Sequence, residues 1–278
     1  MTNENLALQE QKVSDAFTRQ SLCFDDIYEH NPITLYMREK ARNEVMKYIK
    51  PGNSMLELNC CTGIDTMYFA RKGFKITATD NAPGMLARLS EKVVEAGMQD
   101  NVTIQRCSFN DLSKLDGRQY DYLFSNFAGL NCTGDLGNVL READHLLRPG
   151  GYFSFVIMPK ICPWELVMLL KGDFARAFRR VGNKGATAHI EGVHFACFYY
   201  NPSFIRRQLG KRYALISLKG LASMVPPPSM DYYPAKYPRL YSFFKKMENR
   251  LCSYFPFNRY CDQYIITMRK KHQCALNQ

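Results

Sequence analysis

The sequence predicts an α/β fold, built as a doubly wound, mostly parallel seven-stranded sheet with helices on both faces. Between residues 53 and 157, five short apolar runs alternate with stretches of helical periodicity, which is typical of repeated strand–helix–strand units. Two further strand-like runs follow near the C-terminal end. The chain has 278 residues and 46% hydrophobic composition, so it is long enough to bury such a core.

The predicted elements follow one another at the short spacing that an α/β sheet requires. The strands are predicted over residues 54–59, 74–79, 102–107, 120–125, 152–157, 213–218 and 263–268. Helices are predicted over residues 66–71, 84–96, 136–147 and 237–254. The run Arg148-Pro149-Gly150-Gly151 stops the third of these helices and turns the chain into the fifth strand.

Four regions follow from this pattern. Residues 1–50 form a helical lid, and residues 51–158 form the ligand-binding core. Residues 159–212 form a helical and aromatic cap inserted after the fifth strand. Residues 213–278 supply the closing strands, with a proline-rich loop and a helix between them.

Charge and cysteine content bound the environment of the protein. The formal net charge is +11, which favours an acidic partner such as nucleic acid, an anionic membrane surface, an acidic carrier protein or an anionic substrate. A solvated basic surface without a specific partner is the alternative explanation of this charge. Ten cysteines without a C-x-x-C pair suggest reduced thiols, and no apolar run approaches the roughly 18 residues that span a bilayer. We expect a cytoplasmic protein.

The most informative segment is the apolar strand that ends at Glu57 and Leu58 and runs into the small-residue turn 59–63. Ligands of open parallel sheets bind at this carboxyl edge, where a turn lets the backbone approach them. Asp80 ends the second strand, seventeen residues past Gly63. An acid there can accept both ribose hydroxyls of an adenosine-containing ligand.

The turn resembles the first motif of class I, Rossmann-like methyltransferases that use S-adenosylmethionine (SAM), of the stand-alone bacterial small-molecule type. The family pattern is Asp/Glu-x-Gly-x-Gly-x-Gly, and this sequence has Glu-x-Asn-x-Cys-x-Gly over residues 57–63. Three later segments, residues 110–112, 124–131 and 146–151, resemble the family's later motifs in the expected order. A dinucleotide-binding pattern fits worse, because it needs three glycines where this turn has Asn59, Cys61 and Ile64.

The resemblance implies a SAM site and a role for each matching residue. Glu57 orients the turn formed by Asn59, Cys61 and Gly63, which cradles the methionine moiety. Asp80 accepts the ribose hydroxyls, and Asn81 and Met85 flank the adenosine. The further expected cofactor contacts are Ser108 and Phe109 at the adenine, Asn126 and Phe127 beside the sulfonium, and Tyr28 or Arg38 from the lid at the SAM carboxylate. Ser108 stands where many relatives place an acid.

Candidate residues for chemistry lie mainly in the predicted cap. His189 and His194 offer two imidazoles near a carboxylate, at a spacing that matches no zinc motif, so we predict no metal site. Together with Tyr199 they are the candidate catalytic residues. The candidate substrate contacts are Trp164, Asn131 and Tyr200, in an aromatic-rich setting that predicts an apolar acceptor pocket.

The resulting hypothesis is a SAM-dependent methyltransferase that acts on a small or carrier-bound, largely apolar acceptor. The net charge keeps an RNA-directed methyltransferase as an alternative, although the stretch 125–128 lacks the Pro-Pro-aromatic motif of base-amine methylases. Arg179, Arg180 and Lys184 belong to a basic run that could dock an acidic partner. Asn59 and Cys61, in place of glycines, motivate a third hypothesis, a binding protein without turnover.

Overall fold

A computed structural model describes residues 3–115, 117–182 and 185–272. It confirms the predicted sheet: seven strands lie in the order β3-β2-β1-β4-β5-β9-β8, and a separate hairpin is formed by β6 and β7. The strands are β1 Ser54–Leu58, β2 Lys75–Asp80, β3 Val102–Arg106, β4 Tyr120–Ser125, β5 Leu147–Ile157, β6 Ala186–Ile190, β7 Val193–Cys197, β8 Tyr213–Leu221 and β9 Gln263–Lys270. Strands β1 to β5 are parallel, and β9 runs antiparallel between β5 and β8.

The helices account for most of the remaining described chain. They are α1 Asn3–Gln20, α2 Phe24–Glu29, α3 Pro32–Val45, α4 Ile64–Ala70, α5 Pro83–Glu95, α6 Leu136–Leu146, α7 Pro163–Leu166, α8 Phe174–Phe178, α9 Pro202–Leu209, α10 Tyr233–Lys236 and α11 Pro238–Leu251. None of the helices in the described ranges is long and apolar enough to cross a membrane.

Alternating residues of the central strand explain why the sheet is covered on both faces. Met55 packs with Phe69 and Leu89 of the α4–α5 layer, whereas Leu56 and Leu58 pack with the α6 side. Successive side chains of a strand point to opposite faces, so a strand with apolar residues on both faces must be buried on both. This burial fixes the register that brings the carboxyl ends of β1, β2, β3 and β4 to one edge.

The lid and cap regions differ in detail from the prediction. Helix α3 belongs to the core, because Ile33 and Met37 pack against Val156 of β5. Helix α9 also joins the core, where Ile205 is fully buried beside α6. The predicted helical cap contains the β6–β7 hairpin, whose residues have no strong strand signature. Helices α1 and α2 are therefore the elements that cover the strand ends.

Candidate cofactor site

A pocket opens at the carboxyl ends of β1 to β4, beneath helices α1 and α2. Its cavity volume is about 110 Å³, and the cavity is partly open to solvent. The predicted cofactor residues that line it are Tyr28, Asn59, Cys61, Asp80, Asn81, Ser108, Phe109, Asn126 and Phe127. The structure therefore brings together residues that are far apart in sequence, whereas Glu57, Gly63, Met85 and Arg38 lie outside the lining.

The turn after β1 keeps a glycine-like backbone although two of its glycine positions are occupied. Asn59 and Cys61 both have φ of 51°, and Gly63 has φ of 79°. Left-handed backbone is unfavourable for most side chains, and asparagine tolerates it better than others. At Gly63 a Cβ atom would lie 2.2 Å from Leu89 Cδ1, so glycine is required there for packing.

The side chain of Asn59 ties this turn to the end of β4. Its Nδ2 donates to the carbonyl of Asn126 at 3.0 Å, and its Oδ1 accepts from Ser125 Oγ at 2.5 Å. A Cβ atom on Gly129 would lie 2.3 Å from Asn59 Cγ. The extra volume of Asn59 is thus accommodated by a glycine in the neighbouring loop, and its polar atoms are satisfied within the protein.

Asp80, the last residue of β2, presents a carboxylate to the pocket. Its Oδ2 accepts the backbone N–H of Cys61 at 3.0 Å, and its Oδ1 accepts that of Ala82 at 2.9 Å. Burial raises the pKa of Asp80, and these N–H groups act in the opposite direction. A carboxylate has about four acceptor positions, so two remain for the hydroxyls of a ligand.

Beneath the pocket, Arg38 forms a buried ion pair. Its Nη1 donates to Asp65 Oδ2 at 2.5 Å, and its guanidinium lies 4.5 Å from the ring centroid of Phe127. Asp65 also accepts from Arg42 Nε at 2.7 Å and from Asn126 Nδ2 at 2.8 Å. Arg38 thus supports Phe127 from behind and is separated from the pocket by that ring. Arg38 is not among the residues that line the pocket, and the SAM-carboxylate role expected for it stays a prediction.

Aromatic rings close the pocket from two sides. The Tyr28 ring lies 4.3 Å from that of Phe24 and 6.2 Å from that of Phe127, measured between centroids. Phe127 and Ala128 have φ of 48° and 58°, two successive left-handed residues without glycine. Such backbone is maintained only where the surroundings enforce it, and it occurs preferentially at functional sites. Here it turns the Phe127 ring into the pocket.

The loop after β3 brings Ser108 and Phe109 into the pocket lining. There it meets Glu10 of helix α1, a lining residue that the sequence did not predict. Glu10 of α1 accepts hydrogen bonds from Ser108 Oγ and, at 2.5 Å, from Asn110 Nδ2. Glu10 lies in the polar opening segment of the predicted lid, which shows no helical periodicity. No local signal in the sequence indicates that it reaches a loop almost 100 residues away.

Met85 and Asn81 occupy different parts of the same region. Met85 is fully buried and packs with Phe24 and Ala82, so it supports the wall without lining it. Asn81 lines the pocket, and its carbonyl accepts from Ser14 Oγ at 3.0 Å. Helix α1 is thereby attached to the residue after Asp80.

Comparison with known proteins agrees with this geometry. Residues 55–151 match the family model described as "Methyltransferase domain". Over these residues the chain is similar to a methyltransferase domain. The match runs from the second residue of β1 to the turn inside β5, so it contains Asp80, the 59–63 turn and the loops after β3 and β4.

Individual relatives match a limited part of this chain. A ribosomal protein arginine N-methyltransferase of Schizosaccharomyces pombe is 27% identical over 164 residues, which are 55% of this chain and 29% of that protein. A malonyl-[acyl-carrier protein] O-methyltransferase of Serratia marcescens is 29% identical over 157 residues, 56% of each chain. The chain thus spans about half the length, or less, of these curated relatives.

Solved structures extend the likeness beyond the matched domain. A 1,6-didemethyltoxoflavin-N1-methyltransferase of Burkholderia thailandensis, crystallised with its substrate and S-adenosylhomocysteine (SAH), superposes with a TM-score of 0.57 at 14% identity. The alignment covers 94% of this chain and 88% of that one. At this identity the likeness concerns the fold, which therefore includes the helices and strands outside residues 55–151.

The predicted catalytic histidines are not among the residues that line the pocket. His189 and His194 are opposite one another in the β6–β7 hairpin, with ring centroids 4.4 Å apart, and both are exposed. The turn between the strands has positive φ at Glu191 and Gly192, as a tight two-residue hairpin requires. Their closeness in sequence thus reflects cross-strand pairing.

The third catalytic candidate, Tyr199, and the predicted substrate contacts are also absent from the pocket lining. Tyr199 and Tyr200 border a second, more polar cavity, and Trp164 packs edge-on against Phe244 at 6.3 Å. The amide of Asn131 is fully buried and is bonded to the backbone of Met158 and Phe198. The structure thus does not bring these four residues together with Asp80.

Glu57, next to the turn, gives a pH-dependent prediction. It is buried, accepts a 2.6 Å bond from Thr66 Oγ1, and has a pKa raised to about 8, chiefly by burial and then by nearby Asp65. Between pH 4.5 and 8 only the unfolded chain loses this proton, so the free energy of unfolding should fall as pH rises, by up to about 1.4 kcal/mol per pH unit. Glu57→Gln should remove this slope.

Urea denaturation at pH 5, 6.5 and 8 measures the effect. Glu91→Gln is the matched control, because Glu91 is a half-exposed surface residue and its substitution should leave the slope unchanged. An identical pH dependence in wild type and Glu57→Gln would show that Glu57 is ionised in the folded protein.

Proposed function

We propose that this protein binds SAM in the pocket at the ends of β1 to β4 and transfers its methyl group to a small or carrier-bound, largely apolar acceptor. One observation carries the proposal: the Asp80 carboxylate ends β2 inside a pocket whose floor is the left-handed 59–63 turn. A carboxylate at that position accepts vicinal ribose hydroxyls. The turn lets the backbone approach the rest of the nucleoside.

The charge of the pocket supports a cationic ligand. The chain carries a net charge of +11, yet the described lining residues include two carboxylic acids, Glu10 and Asp80, and no lysine, arginine or histidine. Arg38 is not part of the lining, and its guanidinium pairs with Asp65. The Phe127 and Tyr28 rings add electron-rich faces, which attract cations. A sulfonium is therefore favoured here over an anionic ligand.

The lining also supports an apolar acceptor. Val13, Phe17 and Phe24 extend the apolar wall from α1 and α2 toward Tyr28. Methyl transfer from a sulfonium is an in-line displacement, in which the acceptor attacks the methyl carbon as its bond to sulfur breaks. The protein must chiefly align the two groups and exclude water. A roof of aromatic residues serves both purposes.

Tyr28 can orient an acceptor but is poorly suited to deprotonate one. Burial raises its pKa to about 12, so its hydroxyl stays protonated at neutral pH and can donate a hydrogen bond. We propose that acceptors already neutral and nucleophilic, or acidic enough to ionise in solution, react without a protein base. The carrier-protein methyltransferase among the relatives is consistent with a carrier-bound acceptor.

Calorimetry with SAM and SAH tests the proposal. We expect both to bind with one site per chain, and NADH, the control nucleotide, not to bind. Mass spectrometry of ligand released from the purified protein by heat would identify a retained cofactor. Absence of binding by both SAM and SAH at millimolar concentration would contradict the proposal and favour a non-catalytic role.

RNA-directed methyl transfer is the second candidate, and the net charge of +11 is what favours it. Part of that charge is neutralised inside the protein, because Arg179, Arg180 and Arg212 pair with Glu165 and Asp144. RNA affinity that falls steeply with salt, as phosphate contacts require, would support this candidate. Weak RNA binding at physiological salt would contradict this candidate and favour the small-acceptor proposal.

A further inference from the structure

We infer that the carboxylate of Glu10, on the first helix, reads the exocyclic amine of the cofactor's adenine. The inference rests on the proposed SAM site and assigns its base specificity to α1, outside residues 55–151. The loop after β3 would then position the Glu10 carboxylate and would not itself contact the adenine amine.

The position of Asp80 determines where the base lies. With the ribose on Asp80, the two directions along the sheet edge lead to the β1 turn and to the loop after β3. The backbone N–H of Cys107 donates to the Asp80 carbonyl at 3.1 Å, so residues 108–110 follow directly beside it. On that side the walls include Val13, Ala82 and Phe109, which suit a flat, apolar ring. The base therefore lies toward Ser108.

The hydroxyl of Ser108 already takes part in two hydrogen bonds within the protein. Its hydroxyl donates to Glu10 Oε1 and accepts the backbone N–H of Asn110 at 3.1 Å. Asn110 Nδ2 donates to the same Glu10 oxygen at 2.5 Å. Ser108 and Asn110 thus act together as a clamp that fixes one oxygen of the carboxylate.

The other oxygen of Glu10 is available. Across the described ranges, Oε2 has no hydrogen-bond donor and Glu10 has no salt-bridge partner, although the residue lines the pocket. An adenine amine is a neutral N–H donor, and a carboxylate is the strongest acceptor that a side chain offers it. A carbonyl at the same ring position would face the carboxylate with lone pairs and be rejected.

Helix α1 holds this carboxylate in a fixed place. Gln9 donates to the carbonyls of Ala196 at 2.6 Å and Cys132 at 3.2 Å, and accepts the N–H of Ala196 at 3.0 Å. These bonds attach α1 to β7, while Ser14 attaches it to Asn81. Docking of α1 thus both covers the pocket and completes the base-reading site.

The experiment measures affinities of wild type and Glu10→Gln for SAH and for S-inosylhomocysteine, which carries a carbonyl in place of the adenine amine. We expect wild type to prefer SAH strongly. The glutamine amide can rotate to donate to the carbonyl, so Glu10→Gln should reduce the preference ratio by about tenfold or more. The ratio is measured on one protein sample, so it does not depend on the folded fraction.

Two control variants separate reading from positioning. Glu4→Gln changes an exposed acid of the same helix and should alter neither affinity. Gln9→Ala loosens α1 but keeps the Glu10 carboxylate, so it should weaken SAH binding and lower the preference ratio less than Glu10→Gln does. An unchanged ratio in Glu10→Gln would overturn this inference alone, whereas wild type that binds neither compound would overturn the proposed function as well.

Discussion

Asp80→Ala is expected to lower SAM affinity by about 100-fold or more. In the proposed complex the carboxylate accepts both ribose hydroxyls, and charge-assisted hydrogen bonds contribute roughly 1.5–3 kcal/mol each. The same carboxylate accepts the N–H groups of Cys61 and Ala82, so the substitution also leaves two donors less well satisfied. We therefore expect a loss of about 1–3 kcal/mol in the free energy of unfolding as well. Calorimetry and urea denaturation measure the two effects.

A matched control separates affinity from stability. Asp121 accepts the backbone N–H and the hydroxyl of Ser54 at 2.8 and 2.9 Å, at the opposite end of β1. It is thus a second carboxylate that secures the same strand, away from the pocket. Asp121→Ala should reduce stability while SAM affinity is retained. If Asp80→Ala and Asp121→Ala affected binding alike, Asp80 would have no direct contact with the cofactor.

Sequence reasoning succeeded where a pattern is local. The strand, turn and helix around residues 54–70 follow one another without insertion, and Asp80 lies at the end of the next strand. Parallel strand ends necessarily share one edge, so the position of Asp80 beside the turn followed from chain order and hydrophobic pattern. Asn59 has the left-handed backbone that the family's glycine pattern implies for its position.

Glu10 and Arg38 show where such reasoning ends. Glu10 reaches the pocket because Gln9 and Ser14 attach α1 to distant backbone, and no periodicity along residues 1–12 encodes those contacts. Arg38 has the right chemistry for a carboxylate ligand and lies in the right region. Its charge is instead compensated by Asp65 of α4, a pairing that depends on how two helices pack.

The basic run after the fifth strand is a related case. Sequence alone suggested a docking surface, but the side chain of Arg180 is buried and donates to Glu165, to the Asp262 carboxylate and to the Asp262 carbonyl. Cys162, Glu165 and Asp262 bring ligand-type atoms within 4.8 Å of one another, and the Arg180 guanidinium supplies the cation for both acids. Lys184 lies outside the described residues.

Arg180→Ala is therefore expected to lower the free energy of unfolding by about 3–5 kcal/mol, because it leaves buried carboxylates without their cation. Burial favours a raised pKa for Glu165, and the bonds from Arg179 and Arg180 outweigh it and lower that pKa.

Arg179→Ala is the control, because Arg179 binds the same Glu165 from a side chain that is 42% exposed. This substitution should lower the free energy of unfolding by less than about 1 kcal/mol. SAM affinity of the folded fraction should be unchanged in both variants, because neither arginine lines the pocket. If Arg180→Ala and Arg179→Ala lowered the free energy of unfolding equally, solvent would be stabilising the charges of Glu165 and Asp262. The arginine run would then be a solvated surface and not a buried ion-pair network.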